Sequence, residues 1–215
     1  MDVATSRVAA GWQLLGFGNG AAAERLAPEA LAADPEDAAA HRLLSGALAR
    51  QGRAKPARAA AQAALAVSPN AVAFHAQAIA LRTLRHHRDA VAAAREAVRL
   101  APQQPEPVKL LGILLEESGQ WDEARMTLRH AMCLAPGNDA ICATYGLFAL
   151  RHRGLEEAER VALDLESESD GTEALLLRGK LELLHDRPAE ARDFALRILS
   201  RDATNREALR LLVAA

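Results

Sequence analysis

The residues of this sequence best suited to metal chemistry are its seven histidines and two cysteines. His86 and His87 are adjacent, and His152 and His185 stand beside similar turn signals further along the chain. A zinc site draws its ligands from recognisable short spacings such as His-Glu-x-x-His or Cys-x-x-Cys, and neither spacing occurs. We therefore interpret the histidines as solvated turn residues, and the sequence predicts no metal site and no cofactor.

Two other features could indicate catalysis. The glycine cluster from Gly16 to Gly20 resembles a phosphate-binding loop, but such a loop follows a strand, and here the preceding pattern is helical. We interpret it as a turn between helices. Cys133 and Cys142 fall on predicted packing faces, so we expect two buried thiols. No nucleophile and base, and no pair of carboxylates, lie at a spacing that a helix would bring together, so no enzymatic activity is predicted.

The composition points to an all-α protein with a thin core. Half of the 215 residues are hydrophobic, but only 3% are aromatic, and alanine is the commonest residue. Alanine favours helix yet buries little area. The net charge of -2 argues against a generally basic nucleic-acid binder. No apolar run approaches the roughly 18 residues that span a bilayer, and the start lacks a signal-peptide core. We expect a cytoplasmic protein, or a cytoplasmic domain of a longer one.

The element that organises the chain is the stretch from Pro105 to Pro136, which reads as two amphipathic helices joined by a turn at Ser118–Gln120. Neither helix can bury its apolar stripe alone, so the pair needs neighbours. The chain supplies them, because pairs of small residues 12 positions apart recur every 33 or 34 residues. Small residues let two backbones approach, so each pair predicts a helix crossing. The pairs are Gly11 with Ala23, Ser45 with Ala57, Ala78 with Ala90, Gly112 with Ala124, Gly146 with Ala158 and Gly179 with Ala191.

This pattern resembles the tetratricopeptide repeat family. The period of 34, the glycine-then-alanine crossing, the helix-ending prolines such as Pro102, and the run from Gly119 to Ala124 carry the resemblance. It implies a single right-handed superhelical solenoid over residues 1–215, made of about six helix pairs. The predicted repeats cover residues 4–37, 38–70, 71–104, 105–138, 139–171 and 172–205, and a C-terminal helix covers 206–215.

The sequence departs from the family pattern in several places. Alanines replace large aromatics at Ala27, Ala61, Ala94, Ala162 and Ala195, which predicts closely spaced helices. Pro28 is expected to kink or shorten its helix, and the segment from Asp164 to Gly171 to form a longer or looser turn. We expect Trp121 to pack in the core, and Trp12 either to face the groove or to lie at an exposed end, because the first repeat lacks a neighbour on one side. Because the last helix has little polar face, we also expect this chain to be a fragment of a longer protein.

The resemblance implies where a partner would bind. In the family, ligand contacts come from the first helix of each pair, on the concave side. In this sequence that face holds Arg42, Gly46, Ala49 and Arg50; His75, Ile79, Arg82 and Thr83; Lys109, Ile113, Glu116 and Glu117; and Ala143, Leu147 and Arg151. Small residues form its floor with charges of both signs around them, which suits an extended segment or helix. The carboxylate clamp of chaperone-tail receptors is absent, since Gly46, His75 and Ala76 stand where its polar side chains are wanted.

Basic residues also gather near the predicted inner turns. They include Arg50, Arg53, Lys55, Arg58, Arg82, Arg85, Arg88, Arg151, Arg153 and Arg187. Cations at the ends of the first helices complement the helix dipole, which is a sufficient structural reason for them. An anionic partner on this edge is the alternative, although interleaved aromatics of the kind that bind nucleic acid are missing.

The leading functional hypothesis is a non-enzymatic scaffold that binds a peptide or protein segment in the concave groove. A second hypothesis is a helical lobe of a larger protein, membrane-anchored or enzymatic, truncated at Ala215. A third is a scaffold that forms homo-oligomers through its terminal repeats, because thin unpaired ends favour end-to-end stacking.

Overall fold

The computed structural model describes residues 3–165 and 171–215, and within these ranges the chain is helical without strands. This confirms the predicted all-α fold of helix pairs followed by a C-terminal helix. The helices are α1 Val3–Gly16, α2 Gly20–Ala33, α3 Ala38–Arg50, α4 Ala54–Val67, α5 Ala71–Thr83, α6 His87–Leu100, α7 Pro105–Glu117, α8 Trp121–Leu134, α9 Asp139–Arg151, α10 Leu155–Asp164, α11 Thr172–Leu184, α12 Pro188–Leu199 and α13 Arg206–Ala214.

The helices group into two compact units. Unit 1 covers residues 1–124 and unit 2 covers residues 125–215, so α8 crosses the boundary. In unit 1 each helix from α1 to α6 packs against the next one, and α1, α3, α5 and α7 also contact one another in turn. Unit 2 repeats this order, with α9, α11 and α13 in sequential contact. The predicted single solenoid over the whole chain stays a prediction.

The small residues predicted at the helix crossings are all buried. In the second repeat the two members touch, because the Ser45 hydroxyl donates a hydrogen bond of 2.9 Å to the Ala57 carbonyl. The glycines also make room for the following repeat. A Cβ added at Gly179 would lie 2.5 Å from Leu211 Cδ2, and one at Gly11 would collide with Leu43. The period therefore records both the crossing within a repeat and the contact with the next one.

Every inner turn closes in the same way. The residue after the helix cap adopts a positive φ, and its N–H and the following N–H reach back to the last helical turn, the pattern of a Schellman motif. The positive-φ residues are Gly18, Gly52, Arg85, Gly119, Arg153 and Asp186. In the fifth repeat Arg153 holds this position, and the glycine one residue later, Gly154, is the N-cap of α10. Three repeats thus place a residue other than glycine in a conformation that glycine adopts most readily.

Three first helices, α3, α5 and α9, and the C-terminal helix α13 begin at a side-chain cap. A short polar side chain before the helix accepts a hydrogen bond from an N–H of the first turn, which satisfies a donor that the helix leaves unpaired. This is how Asp37 starts α3, Asn70 starts α5, Asn138 starts α9 and Asn205 starts α13. The caps fix where each repeat begins, and so fix the register of the residues facing the groove.

Several local predictions are wrong. Pro28 was expected to kink or shorten α2, but α2 has 14 residues like α4, so the shortening is wrong and the kink stays a prediction. Pro28 lies on the exposed face, where water can bond the carbonyl that the ring leaves free. Trp121 is 59% exposed, because it is the first residue of α8 and precedes the turn of helix that carries Ala124 into the core. Cys142 is buried, but Cys133 is exposed, since it lies two residues past the core position Ala131.

The other departures are partly settled. Ala27, Ala61, Ala94 and Ala195 are fully buried at positions where larger side chains were missing, whereas Ala162 is only half-buried. The predicted loose turn from Asp164 to Gly171 lies largely outside the described residues.

Candidate binding groove

A groove of about 840 Å³ lies in unit 1 along the face shared by α1, α3 and α5. Its floor and walls come from successive first helices, and the turn after α5 and the end of α7 complete one side. It is lined by Trp12 and Leu15; Arg42, Gly46, Ala49 and Arg50; Val72, His75, Ala76, Ile79, Arg82 and Thr83; and Arg85, His87 and Glu117.

Not all of the predicted site residues meet in this groove. Those of the second and third repeats line it together, and Glu117 is the one residue predicted from the fourth repeat that joins them. Lys109, Ile113 and Glu116 are on α7 but do not line the groove, and Lys109 pairs with Glu106 at 2.7 Å. Ala143, Leu147 and Arg151 belong to α9 in unit 2. Ala143 and Leu147 are buried there, and Arg151 is exposed.

The floor of the groove is apolar because Gly46 has no side chain. A Cβ at Gly46 would lie 3.0 Å from Leu15 Cδ2 and 3.7 Å from the Trp12 ring. The glycine therefore lets two large residues of α1 pack close over α3. Trp12 nevertheless remains 40% exposed, and Val72 at the start of α5 is 43% exposed. The groove thus presents apolar surface to whatever enters it.

Arginines surround this floor, and they differ in their hydrogen-bond and ion-pair partners. The Arg82 guanidinium holds the Glu117 carboxylate in a two-point contact, with Nε at 2.9 and 3.0 Å from the two carboxylate oxygens. Arg42 donates from Nε to the Ala38 carbonyl at 3.3 Å. Arg50 and Arg85 form no ion pair with any residue that the structure describes. Of the described residues that line the groove, Glu117 alone carries a carboxylate.

Burial also acts on two titratable groups of the groove. Burial lowers the pKa of the His75 imidazole, Glu106 partly offsets this shift and Lys109 adds to it. His75 is therefore neutral at physiological pH. Burial likewise lowers the pKa of the Arg42 guanidinium, opposed by the nearby Asp37 carboxylate, but an arginine remains charged at any physiological pH.

Comparison with known proteins identifies the family to which this architecture belongs. The family model described as tetratricopeptide repeat matches residues 8–72 and 75–133, more than half of the chain. The chain belongs to the tetratricopeptide repeat family. Proteins of this family are generally non-enzymatic scaffolds for protein–protein interaction, and no curated protein sequence matches this chain.

Solved structures share the tetratricopeptide repeat fold over the whole chain. PilF from Pseudomonas aeruginosa is 18% identical with a TM-score of 0.66, over 99% of this chain and 97% of that one. A thermophilic tetratricopeptide repeat protein of Thermus thermophilus is 17% identical with a TM-score of 0.66, over 99% and 98%. PilW, described as a widely conserved type IV pilus biogenesis factor, is 16% identical with a TM-score of 0.71, over 99% of both chains. At this identity the likeness shows the fold alone.

Several groove residues of this tetratricopeptide repeat protein were missed at the sequence level. Val72 stands three residues before His75 and on the same helix face, so helical spacing could have found it. Arg85 lies in a turn, where helical spacing gives no direction, and only its positive φ aims it beside the groove.

The described ranges contain neither a metal-binding cluster nor a membrane span. Nowhere in residues 3–165 and 171–215 do three His, Cys, Asp or Glu side chains converge as ligands would. Within the same ranges, each helix is too short or too polar to traverse a bilayer.

Proposed function

We propose that this chain is a protein-interaction scaffold whose unit 1 groove binds a segment of a partner protein. The observation that carries the proposal is the exposed apolar floor formed by Trp12 and Val72 inside a concave site of about 840 Å³. Ligand sites commonly have volumes of about 300–1,000 Å³ and combine an apolar lining with a few polar groups. Family membership supports the same function.

The shape and chemistry of the groove define the kind of segment it would take. The floor runs across successive helices, so it offers apolar contacts spaced along a line and favours an extended or helical segment over a small molecule. A large apolar side chain of the partner would sit against Trp12, and aromatic anchors of this kind often dominate binding energy. The surrounding arginines would fix the direction of the bound segment.

The test is selection of peptides from a random library on the purified full chain, followed by affinity measurement with fluorescently labelled, C-terminally amidated copies. Val72→Gln removes apolar surface from the groove. Val67→Gln is the matched control, because Val67 is 41% exposed at the end of α4 and does not line the groove. We expect Val72→Gln to weaken binding about fivefold, the effect of losing about 1 kcal/mol of apolar contact, and Val67→Gln to leave it unchanged. Failure to select any peptide, or equal loss in both variants, would refute the groove function.

The other two hypotheses stay predictions. Self-association through the terminal repeats has apolar surface available, since Leu209 and Val213 of α13 are 42% and 88% exposed. Light scattering over a range of concentrations tests it, and a constant monomer mass would exclude it. Partnership within a larger protein is tested by the length of the complete coding sequence.

A further inference from the structure

We propose that Glu117 is an internal competitor that occupies the arginine site where the groove takes an acidic side chain of the bound segment. The inference rests on the proposed function and adds two things to it. It names the class of segment, one rich in Asp or Glu around an apolar anchor. It also assigns Glu117 a role in setting the affinity of the groove.

The Arg82–Glu117 pair has the geometry of a ligand contact. Arg82 lies in the last turn of α5 and Glu117 ends α7, and their side chains meet at the groove rather than within one helix. Nε of Arg82 reaches both carboxylate oxygens, and Nη2 lies 2.5 Å from Oε1. This planar two-point contact is how arginine binds a carboxylate from any source. Both side chains are partly exposed, at 43% and 30%, so a carboxylate arriving from solvent can replace the internal one.

The charge balance around that pair favours an acidic ligand. Arg42, Arg50 and Arg85 line the groove without an ion pair among the described residues, the Asp37 carboxylate acts on Arg42 from outside the lining, and Glu117 is the one lining carboxylate among the described residues. His75 adds no charge, because it is neutral. Clefts lined by one sign of charge attract ligands of the other sign and suppress the wrong ones. The groove is therefore complementary to an acidic segment.

The backbone conformation of Arg85 is a separate observation at the same side of the groove. Its φ is 59°, in the left-handed region where the equivalent residues Gly18, Gly52 and Gly119 of unit 1 are all glycines. Glycine would be the preferred residue at such a turn. An arginine at this position is strained, and the strain is accompanied by a guanidinium at the side of the groove. Arg153 and Asp186 adopt the same conformation without lining the groove, so what distinguishes Arg85 is the charge that it adds to the lining.

The arrangement suits several acidic side chains rather than a single terminal carboxylate. Arg42 and Arg50 stand eight residues apart on α3, which places them about 12 Å apart along the helix axis. One carboxylate cannot bridge that distance. Gly46, between them, offers no side-chain donor. Acidic side chains spaced along a segment match this row, and the use of amidated peptides removes the terminal carboxylate as an alternative source.

The experiment compares each selected peptide with a copy in which Asn and Gln replace Asp and Glu. Glu117→Gln frees Arg82, and we expect it to tighten binding of the acidic peptide about two- to fivefold, the range expected for an exposed ion pair, while the neutral copy changes little. Glu123→Gln is the matched control, since Glu123 pairs with Arg95 at 2.9 Å outside the groove. It should leave both peptides unaffected. The gain should shrink as salt rises from about 50 to about 300 mM, because screening weakens the freed charge.

Two further variants separate the possible outcomes. Arg82→Gln should reduce the preference for the acidic copy, and Arg85→Gly should do the same while raising the midpoint of thermal unfolding. If peptides bind but acidic and neutral copies bind equally, the acidic class is wrong and the groove function survives. If Glu117→Gln tightens both copies equally, or neither, Glu117 is not a competitor. If no peptide binds, the proposed function itself fails.

Discussion

In α1 to α6 of unit 1 most of the buried apolar residues are alanines, whereas in unit 2 most of the described buried apolar residues are larger. Leu48 of α3 packs with the fully buried Ala57 and Ala61 of α4. In unit 2 the fully buried side chains include Tyr145, Leu175 and Leu177. A methyl group buries little area, whereas a leucine or tyrosine buries far more. The apolar area that each buried residue contributes is therefore smaller across α1 to α6, although α7 of the same unit buries several leucines.

The first helices of the two units differ in the same direction. In α9 every residue from Ile141 to Ala149 is buried. In α3 and α5, by contrast, Gly46, Ala49 and Ile79 line the groove. Small residues on these helices keep a concave face open, which costs contact area. A helix face that lines a groove cannot also be buried in the core, so binding surface is gained at the expense of stabilising contacts. In unit 1 more of the first-helix surface lines a groove.

The sharpest test of this comparison is truncation of one core residue in each unit. Leu177→Ala in unit 2 should cost about 2–5 kcal/mol, because it leaves a cavity at a fully buried site. Ala61→Gly in unit 1 should cost only about 1–2 kcal/mol, from lost helix propensity and one methyl group. Urea unfolding followed by far-UV circular dichroism measures both. Fluorescence adds a report on unit 1 alone, because Trp12 and Trp121, the two tryptophans, both lie within residues 1–124.

An exposed leucine of unit 2 serves as the control for that test. Leu163 of α10 is 84% exposed, so Leu163→Ala should change the free energy of unfolding by no more than about 0.5 kcal/mol. Equal costs for Leu177→Ala and Ala61→Gly would contradict the contrast between the two cores.

Much of this fold could be predicted because small residues recur at a fixed interval along the sequence. Gly11, Ser45 and Ala57 mark crossings that the structure buries, since only small side chains let backbones approach there. The groove face of α3 and α5 followed from the same register. The predictions that were wrong concern local geometry that does not follow the repeat period. Trp121 was assigned to the core because it stands at helical spacing from Ala124 and Leu128, but it is the first residue of α8 and remains 59% exposed.

The electrostatic part of the site was harder to predict. Helical spacing predicted Arg82 and Glu117 as separate groove residues, one in the third repeat and one in the fourth. Their pairing depends on how close the end of α7 lies to the end of α5, and helical spacing does not predict that distance. Arg85 was predicted only as a member of the basic edge. Its positive φ could not be predicted from this sequence, because the residue at the turn is an arginine and not the glycine that usually marks this conformation.

A second test adds a methyl group instead of removing one. A Cβ at Gly146 would lie 2.6 Å from Leu177 Cδ2 and 3.1 Å from Val161 Cγ1, so two buried residues would have to move. Gly146→Ala should therefore destabilise unit 2 by about 1–2 kcal/mol, since overpacking outweighs the gain in helix propensity. Gly11→Ala in unit 1 would place its Cβ 2.3 Å from Leu43 Cδ2 and should cost a similar amount. Thermal unfolding compares them.

Gly16→Ala is the matched control for these two changes. Gly16 ends α1, and nothing lies within 4 Å of a Cβ placed there. Only helix propensity changes, so the variant should gain up to about 1 kcal/mol. A loss at Gly16, or a gain at Gly146, would show that the small residues are not set by the closeness of neighbouring helices.

A third and smaller effect separates the turns of the two units. Three of the four positive-φ residues described in unit 1 are glycines, whereas the two described in unit 2 are an arginine and an aspartate. Arg153→Gly should stabilise unit 2 by about 0.5–1 kcal/mol, because relief of strain at φ 63° exceeds the entropy that glycine adds to the unfolded chain. Asp186→Gly should gain less, since aspartate tolerates this conformation better. Gly52→Ala, the reverse change in unit 1, should lose about 1–2 kcal/mol. Chemical unfolding checks the three signs together.

The smallest effect concerns pH and belongs to the groove of unit 1. Burial lowers the pKa of His75 in the folded protein, so below the ordinary histidine pKa of about 6.5 the unfolded chain binds the proton first. The contribution of His75 to stability is thus complete above that pH and falls as the pH drops through it. His75→Gln should remove this part of the loss between about pH 7.5 and pH 5.5. Val67→Gln, which leaves the imidazole in place, should keep the wild-type slope of unfolding free energy against pH. A steeper slope in His75→Gln would mean that the folded groove, not the unfolded chain, prefers the protonated ring.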